Sequence, residues 1–118
     1  MRQFDSGATR DDDTSKPDYE GFISPLVVVR FGEYMSKHRV QADGKLRDSD
    51  NWQKGLPQSD YIESAFRHFI DWWRIHRTRM EEMEGDVWLY DDDLEEALCA
   101  LMFNVMGYLH EHLKEAKE

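Results

Sequence analysis

The sequence has a single cysteine, Cys99, so no disulfide can form within the chain. It also contains no apolar run near the roughly 20 residues that a membrane-spanning helix requires. Its N-terminus lacks the basic and then apolar pattern of a secretion signal. These absences predict a protein of the reducing cytoplasm that has no membrane partner. With 118 residues, the chain is long enough for one domain of ordinary size.

Positive charge is scarce as well, because 15 Lys and Arg residues face 25 Asp and Glu residues, for a net charge of -10. A non-specific grip on nucleic acid requires a basic face that displaces counterions from phosphates, so no direct nucleic-acid binding is expected. A nucleotide ligand remains compatible with this charge, since a divalent cation held by carboxylates can lie between an acidic protein and a triphosphate. The alternative is that the acidity serves only solubility.

Three segments have the apolar periodicity of helices. The first runs from Ser24-Pro25 to His38, because Ser24 can cap free N–H groups and Pro25 fits the first turn of a helix. The second runs from about Asp60 to about Arg79. Its apolar residues extend around most of the helix, which is therefore expected to be buried on most sides.

A third helix is expected from Asp91 onward, because the acids Asp91–Asp93 place negative charge where the helix dipole favours it. Residues 80–90, before it, are acidic and predict a loop in which residues 87–90 could form a short strand. One stripe of the third helix is apolar: Leu94, Leu98, Leu101, Val105 and Leu109.

The predicted fold is all-α, a compact bundle of three main helices over residues 16–118. Residues 1–15 are polar, with Phe4 as their only large apolar side chain, and predict a disordered acidic tail. Residues 39–58 have no period and predict a long ordered loop that Trp52 anchors between the first and second helices. The amount of apolar surface around the helices predicts a homo-oligomer.

Polar side chains on the third helix form a candidate metal site. Asp93, Glu96 and Asn104 lie along one narrow stripe, with Ala100 between them, because their spacings match whole helical turns. Half-buried carboxylates need partners, and a divalent cation is a suitable one. In the alternative interpretation, Asp93 only caps the helix, Glu96 is solvated and Asn104 is a core amide.

The second helix carries His68 and Asp71, which are three residues apart and therefore neighbours on its surface. An imidazole beside a carboxylate can contribute to a metal site or act as a general base with its orienting group. The alternative is a histidine satisfied by a local carboxylate. Arg67 can reach a phosphate, or it can pair with an acid on the surface.

The long loop contains the run Asn51-Trp52-Gln53-Lys54-Gly55. In this run Lys54 offers a charge to phosphate, Trp52 a ring for stacking on a base, and Asn51 an amide for a base edge. Gly55 permits a positive φ angle. A turn anchored by tryptophan would have the same residue pattern.

Several short segments in a fixed order carry a family resemblance: Lys16-Pro17, Ile23-Ser24-Pro25, Arg47 to Gly55, Arg67-His68, Trp72-Trp73, and Leu94 to Asn104. Over residues 16–113 the chain resembles the phage-associated dATP/dGTP diphosphohydrolase N-terminal-domain family. The resemblance implies hydrolysis of a purine deoxynucleoside triphosphate to monophosphate and pyrophosphate in the host cytoplasm. It also implies distant similarity in chemistry to MazG-like all-α NTP pyrophosphohydrolases, which hold Mg²⁺ between carboxylates of two facing helices.

The sequence departs from the MazG-like pattern, since Arg67-His68 stands where the earlier helix would carry its E-E-x-x-E run. The resulting hypothesis has Glu96, His68 and Asp71 as catalytic groups, and those three with Asp93 as ligands of one or two Mg²⁺ or Mn²⁺ ions. The expected contacts to a purine nucleotide come from Asn51, Trp52, Lys54, Arg67 and Asn104.

Two other functions stay open at this point. One is a phage protein that binds or sequesters a nucleotide without turnover. The other is a helical interaction protein without a small ligand, for which Trp88 and Tyr90 would lie exposed in a partner-binding patch.

Overall fold

A computed structural model describes residues 2–3, 5–10, 15–81 and 91–116 of the chain. The described part is mostly helical, which confirms the helical class. It contains α1 (Tyr19–Phe22), α2 (Pro25–Lys37), α3 (Gln58–Glu81) and α4 (Asp91–Ala116), with a 3₁₀ turn at Asn51–Lys54. No helix within it is both long enough and apolar enough to cross a membrane.

Near the N-terminus, strand β1 (Arg2–Gln3) pairs antiparallel with strand β2 (Thr9–Arg10). The predicted disorder of residues 1–15 stays a prediction. The expected loop segment with Trp88 and Tyr90 lies outside the described residues, and so does the interaction patch that was placed there.

Polar side chains cap the helices close to where the sequence predicts their ends. Ser24 Oγ accepts a hydrogen bond from the Val27 N–H at 3.3 Å and so begins α2 as expected. The periodicity did not predict the short helix α1. A side chain caps this helix too, because Asp18 Oδ1 accepts a hydrogen bond from the Gly21 N–H at 3.1 Å. Helix α3 starts at Gln58, slightly before the predicted start.

Helices α3 and α4 form an antiparallel hairpin, which is the main packing unit of the chain. Tyr61, near the start of α3, meets Phe103 and Gly107 in the second half of α4. The Tyr61 side chain is only 1% exposed, and its ring occupies the space that a Cβ atom at Gly107 would need. Other small residues of α4, Ala97 and Ala100, are also buried, so the two helices approach closely along this line.

The compact three-helix bundle is not confirmed. Helix α2 reaches α4 through charged side chains, with Arg30 Nε 2.6 Å from Glu95 Oε1 and Lys37 Nζ 2.9 Å from Glu96 Oε1. The radius of gyration is 19.7 Å, whereas a compact domain of this length has about 13.5 Å. Within the described residues, α3 and α4 are therefore the two long helices that pack together, and α2 joins them through charged contacts.

The prediction that α3 is buried on most sides is wrong. Most of its large apolar side chains are exposed, Phe66 to 64%, although Tyr61 is buried. The reason is that α4 covers only one side of α3. The predicted apolar stripe of α4 is not the buried side either, since Val105 and Leu109 are exposed. The buried residues of α4 are instead Ala97, Cys99, Ala100, Asn104 and Gly107.

The segment between α2 and α3 folds back on itself. An isolated antiparallel bridge joins Val40 to Leu46. Next to it, Arg39 Nε donates to the Arg47 carbonyl at 2.7 Å. Farther along, the Trp52 ring stands edge-on to His110 of α4, with 4.8 Å between ring centroids. These contacts place the loop beside the hairpin and next to the end of α2.

Candidate functional site

Four of the predicted site residues line a single cavity of about 520 Å³, here called the acidic cavity. They are His68 and Asp71 of α3 and Asp93 and Glu96 of α4. Each pair is three residues apart, so both of its members lie on the same side of their helix. The antiparallel hairpin then brings the two pairs to the same place, which is the juxtaposition that the sequence predicts.

Basic and aromatic side chains also line the acidic cavity. Its floor includes Ala97 and Ala100, whose small side chains leave open space between the helices. Arg74 and Thr78 extend the α3 wall toward the end of that helix. His38, at the end of α2, lies on the opposite side.

Glu96 is surrounded by three cationic or ionisable side chains from α2 and its C-terminus. Its carboxylate lies 2.9 Å from Lys37 Nζ, 3.6 Å from Arg30 and 3.7 Å from His38 Nε2. The hydrogen bond from Lys37 is the main reason that the pKa of Glu96 is lowered, while burial opposes the shift. The same bond raises the pKa of Lys37. Both groups are therefore charged at neutral pH.

The donor chemistry of the acidic cavity fits a divalent cation, since three carboxylates and two imidazoles lie on its walls. His68 Nδ1 and Asp71 Oδ2 are 3.8 Å apart. Within residues 15–81 and 91–116, no three such side chains are close enough together to hold an ion. A cation bound through Glu96 Oε1 would compete there with Lys37.

A second cavity of about 630 Å³, here called the basic cavity, lies between the loop and the hairpin. Its walls include Asn51, Trp52 and Lys54, which are three of the five residues predicted to contact nucleotide. Further side chains with the same kinds of chemistry line it: Arg39 and Arg47 are cationic, and Tyr34, Tyr61 and Phe103 are aromatic.

The 3₁₀ turn at Asn51–Lys54 presents these groups, and Gly55 ends it. Gly55 has a φ angle of +83°, the positive value that the sequence predicts, and its N–H donates to the Trp52 carbonyl at 3.1 Å. A Cβ atom at Gly55 would lie 2.5 Å from Glu111 Oε1. Glycine is thus required for both backbone conformation and space.

The two cavities adjoin each other, because Tyr34 and His38 line both. Their rings are 4.3 Å apart at the centroids. Burial raises the pKa of Tyr34, with a smaller contribution from the charge of Glu96.

Several lining residues were not predicted from the sequence. Tyr34 and His38 are four residues apart on α2, and that spacing is the signal that could have paired them. Arg39 and Arg47 flank the loop, where their side chains bond to carbonyls across the Val40–Leu46 bridge. Arg74 lies one turn beyond Asp71 on α3.

Two predicted substrate contacts lie away from both cavities. The exposed Arg67 donates to Ser64 Oγ of its own helix at 3.0 Å. Asn104 is buried, and its Nδ2 donates to the Ala100 carbonyl at 2.8 Å, one turn back on α4. Asn104 is thus a buried core amide, as the alternative interpretation of the sequence proposed.

Comparison of the chain with protein-family models, with curated proteins and with solved structures gives no match. The resemblance to the dATP/dGTP diphosphohydrolase N-terminal-domain family therefore stays a prediction. The chemistry of the two cavities has to be inferred from their own side chains.

Proposed function

We propose that this protein hydrolyses purine deoxynucleoside triphosphates, dATP or dGTP, to monophosphate and pyrophosphate with the help of Mg²⁺ or Mn²⁺. One observation carries the proposal. The predicted acid and imidazole groups of two helices, His68 and Asp71 with Asp93 and Glu96, line one cavity, and a basic, aromatic cavity adjoins it. A nucleoside triphosphate has the matching parts, an aromatic base and a chain of anionic groups that bind cations.

The basic cavity supplies the binding groups in this proposal. Lys54, Arg39 and Arg47 attract phosphate oxygens, and guanidinium groups can do so through paired N–H donors. Trp52 offers a ring for stacking on a purine, and Asn51 offers an amide that both donates and accepts. The volume of this cavity, about 630 Å³, lies within the usual range for small-ligand sites.

The acidic cavity supplies the reacting groups. A divalent cation bound by Asp93 and Glu96 would polarise the α-phosphoryl group and lower the pKa of the attacking water. His68 would accept a proton, and Asp71, whose Oδ2 is 3.8 Å from His68 Nδ1, would orient the imidazole ring after a small approach. Arg74 on the same wall would neutralise the charge that develops on the phosphate oxygens.

The reaction acts on the cellular nucleotide pool, so the proposal places the protein in the cytoplasm. It also includes the predicted homo-oligomer, because large apolar side chains of the hairpin stay exposed in a single chain.

A second candidate function is nucleotide binding without turnover. It is favoured by the contacts of Glu96 with Lys37 and Arg30, because a carboxylate engaged by two cations is not free to hold a metal. Calorimetry separates the two functions. Tight nucleotide binding that EDTA leaves unchanged, without formation of product, supports the binder, whereas metal-dependent release of pyrophosphate supports the hydrolase.

The direct test of hydrolysis is release of pyrophosphate from each common nucleoside and deoxynucleoside triphosphate, with Mg²⁺ and with Mn²⁺. We expect turnover of dATP or dGTP, and a loss of about 100-fold or more in Glu96→Gln. Glu115→Gln is the matched control, since Glu115 is an exposed residue of the same helix. Absence of release from every nucleotide, or full activity of Glu96→Gln, would contradict the proposal.

A further inference from the structure

We propose that the hairpin of α3 and α4 binds a second copy of itself through an outer face on the side away from the two cavities, forming a four-helix bundle. This inference does not depend on nucleotide hydrolysis. The outer face consists of these exposed residues: Ile62, Phe66, Phe69, Ile70 and Trp73 of α3, and Met102, Val105, Tyr108 and Leu109 of α4.

Helical spacing puts each group on a single stripe. Each α3 residue of the outer face lies three or four residues from another member of the set, which is the spacing of one broad side of a helix. The α4 residues do the same. These side chains are large, and Phe66 and Val105 are 64% and 56% exposed, so the stripes form continuous apolar surface rather than scattered contacts.

The two stripes lie on the same side of the hairpin. At about 100° per residue, the α3 stripe is roughly 120° around the helix from Tyr61 and His68, which face α4. The α4 stripe is roughly 130° around from Ala97 and Ala100, which face α3. Both rotations follow the direction of increasing residue number. Because the helices are antiparallel, this rotation is clockwise in one helix and anticlockwise in the other when both are viewed from the same end. The stripes therefore lie on the same side of the hairpin, each turned outward because both angles exceed about 90°.

The cavities occupy the other face by the same reasoning. Asp71 lies on the opposite side of α3 from its apolar stripe, and it lines the acidic cavity. Glu96 of α4 bonds to Lys37 of α2 on that side. A partner on the outer face would thus leave the cavities open to ligand.

The exposed area supports a second copy as the occupant. The accessible surface of the chain is 9788 Å², whereas a compact monomer of 14.1 kDa has about 6,700 Å². The excess of about 3,000 Å² is more than the roughly 1,000–2,500 Å² that each chain of a stable homodimer contributes. The radius of gyration, 19.7 Å against about 13.5 Å expected, also fits half of a larger unit.

The composition of the outer face suits self-association. Its nine side chains carry no charge, so two copies can meet there although each has a net charge of -10. Three of them are phenylalanine or tryptophan, types that are enriched at the centres of interfaces. Two antiparallel helix pairs that pack together through their apolar sides form a four-helix bundle.

The experiment measures the mass of the full chain by sedimentation. We expect wild type at about twice 14.1 kDa, and Phe66→Lys and Val105→Lys at the mass of one chain. Each lysine changes the net charge from -10 to -9, so the overall repulsion between copies does not increase. Leu26→Lys is the control, because Leu26 of α2 is 83% exposed but lies outside the outer face.

Circular dichroism checks that the variants stay helical, and Leu109→Gln provides a milder change on the same face. Wild type supplies an independent readout, since the Tm of a dimer rises with protein concentration. The proposal is overturned if wild type sediments as one chain with a Tm independent of concentration. It is also overturned if an oligomer persists in the helical Phe66, Val105 and Leu109 variants.

Discussion

Lys37 Nζ lies 2.9 Å from Glu96 Oε1, and this contact joins the last turn of α2 to α4 at the wall of the acidic cavity. Glu96 therefore has two roles that compete. It holds α2 in place through Lys37 and Arg30, and it is the carboxylate best placed to serve the proposed chemistry. A cation bound by Glu96 Oε1 would compete with the Lys37 ammonium group for that oxygen.

Removing that ammonium group should strengthen metal binding. In Lys37→Gln, Glu96 loses its closest cation, so we expect Mn²⁺ to bind about threefold to tenfold more tightly, as measured by electron paramagnetic resonance titration. Lys45→Gln is the control, because Lys45 is exposed in the loop and does not contact Glu96. Equal Mn²⁺ affinity in wild type and Lys37→Gln would contradict the competition.

The contribution of Glu96 to stability should depend on pH. The hydrogen bond from Lys37 lowers the pKa of Glu96 in the folded protein below its unfolded value of about 4.3. Its stabilising contribution is therefore complete above about pH 4.3 and is lost as the pH falls through the lower folded pKa. The Tm difference between wild type and Glu96→Gln should be constant near neutral pH and shrink in acid.

The control for this titration is Glu115→Gln, an exposed acid near the end of α4. Its Tm difference from wild type should stay small throughout. A Glu96→Gln difference that persists unchanged to about pH 2 would mean that the lowered pKa does not contribute to folding.

The close approach of Tyr61 to Gly107 should make that glycine sensitive to substitution. In Gly107→Ala the new methyl group meets the Tyr61 ring, so we expect a loss of about 1–3 kcal/mol in the free energy of unfolding. Gly32→Ala is the matched control, because a Cβ atom there meets no other atom within 4 Å. It should stabilise α2 by about 0.5–1 kcal/mol.

Urea unfolding at one protein concentration measures both glycine variants. A Gly107→Ala protein as stable as Gly32→Ala would show that the helices can separate at Tyr61 without cost.

Trp52 should contribute to nucleotide affinity through stacking. In Trp52→Leu we expect a loss of about 1–3 kcal/mol in binding free energy, or roughly 5-fold to 150-fold in Kd for dGTP. Calorimetry with EDTA present measures binding without turnover. Trp72→Leu is the control, because Trp72 packs on Phe69 of α3 and does not line either cavity of the described structure. Equal affinities of the two variants would exclude stacking on Trp52.

Local patterns in the sequence predicted the parts of the fold that depend on neighbouring residues. Ser24 was expected to cap α2 and does so. The spacing of His68 and Asp71, and of Asp93 and Glu96, put each pair on one side of its helix. The antiparallel hairpin, which needs only a short connection, then brought the pairs to one cavity.

The remaining features depend on contacts between distant residues, which local patterns do not contain. Arg30 and Glu95 are 65 residues apart in sequence, so nothing near either residue shows that they will meet. Tyr34 and His38 become cavity residues only because α2 docks on α4. An apolar stripe such as that of Phe66 shows that a helix side avoids water, but not whether the same chain or another covers it.

The central claim is that one purine nucleotide occupies both cavities, and NMR titration tests it most directly. The ligand is dGTP with a methylene group between its α- and β-phosphorus atoms, which prevents cleavage, in the presence of Mg²⁺. We predict saturable shifts of the Trp52 indole and the Lys54 amide in the basic cavity, together with the amides of Glu96 and Ala97 in the acidic cavity. Shifts confined to residues outside both cavities, or no shifts at saturating ligand, would contradict the account.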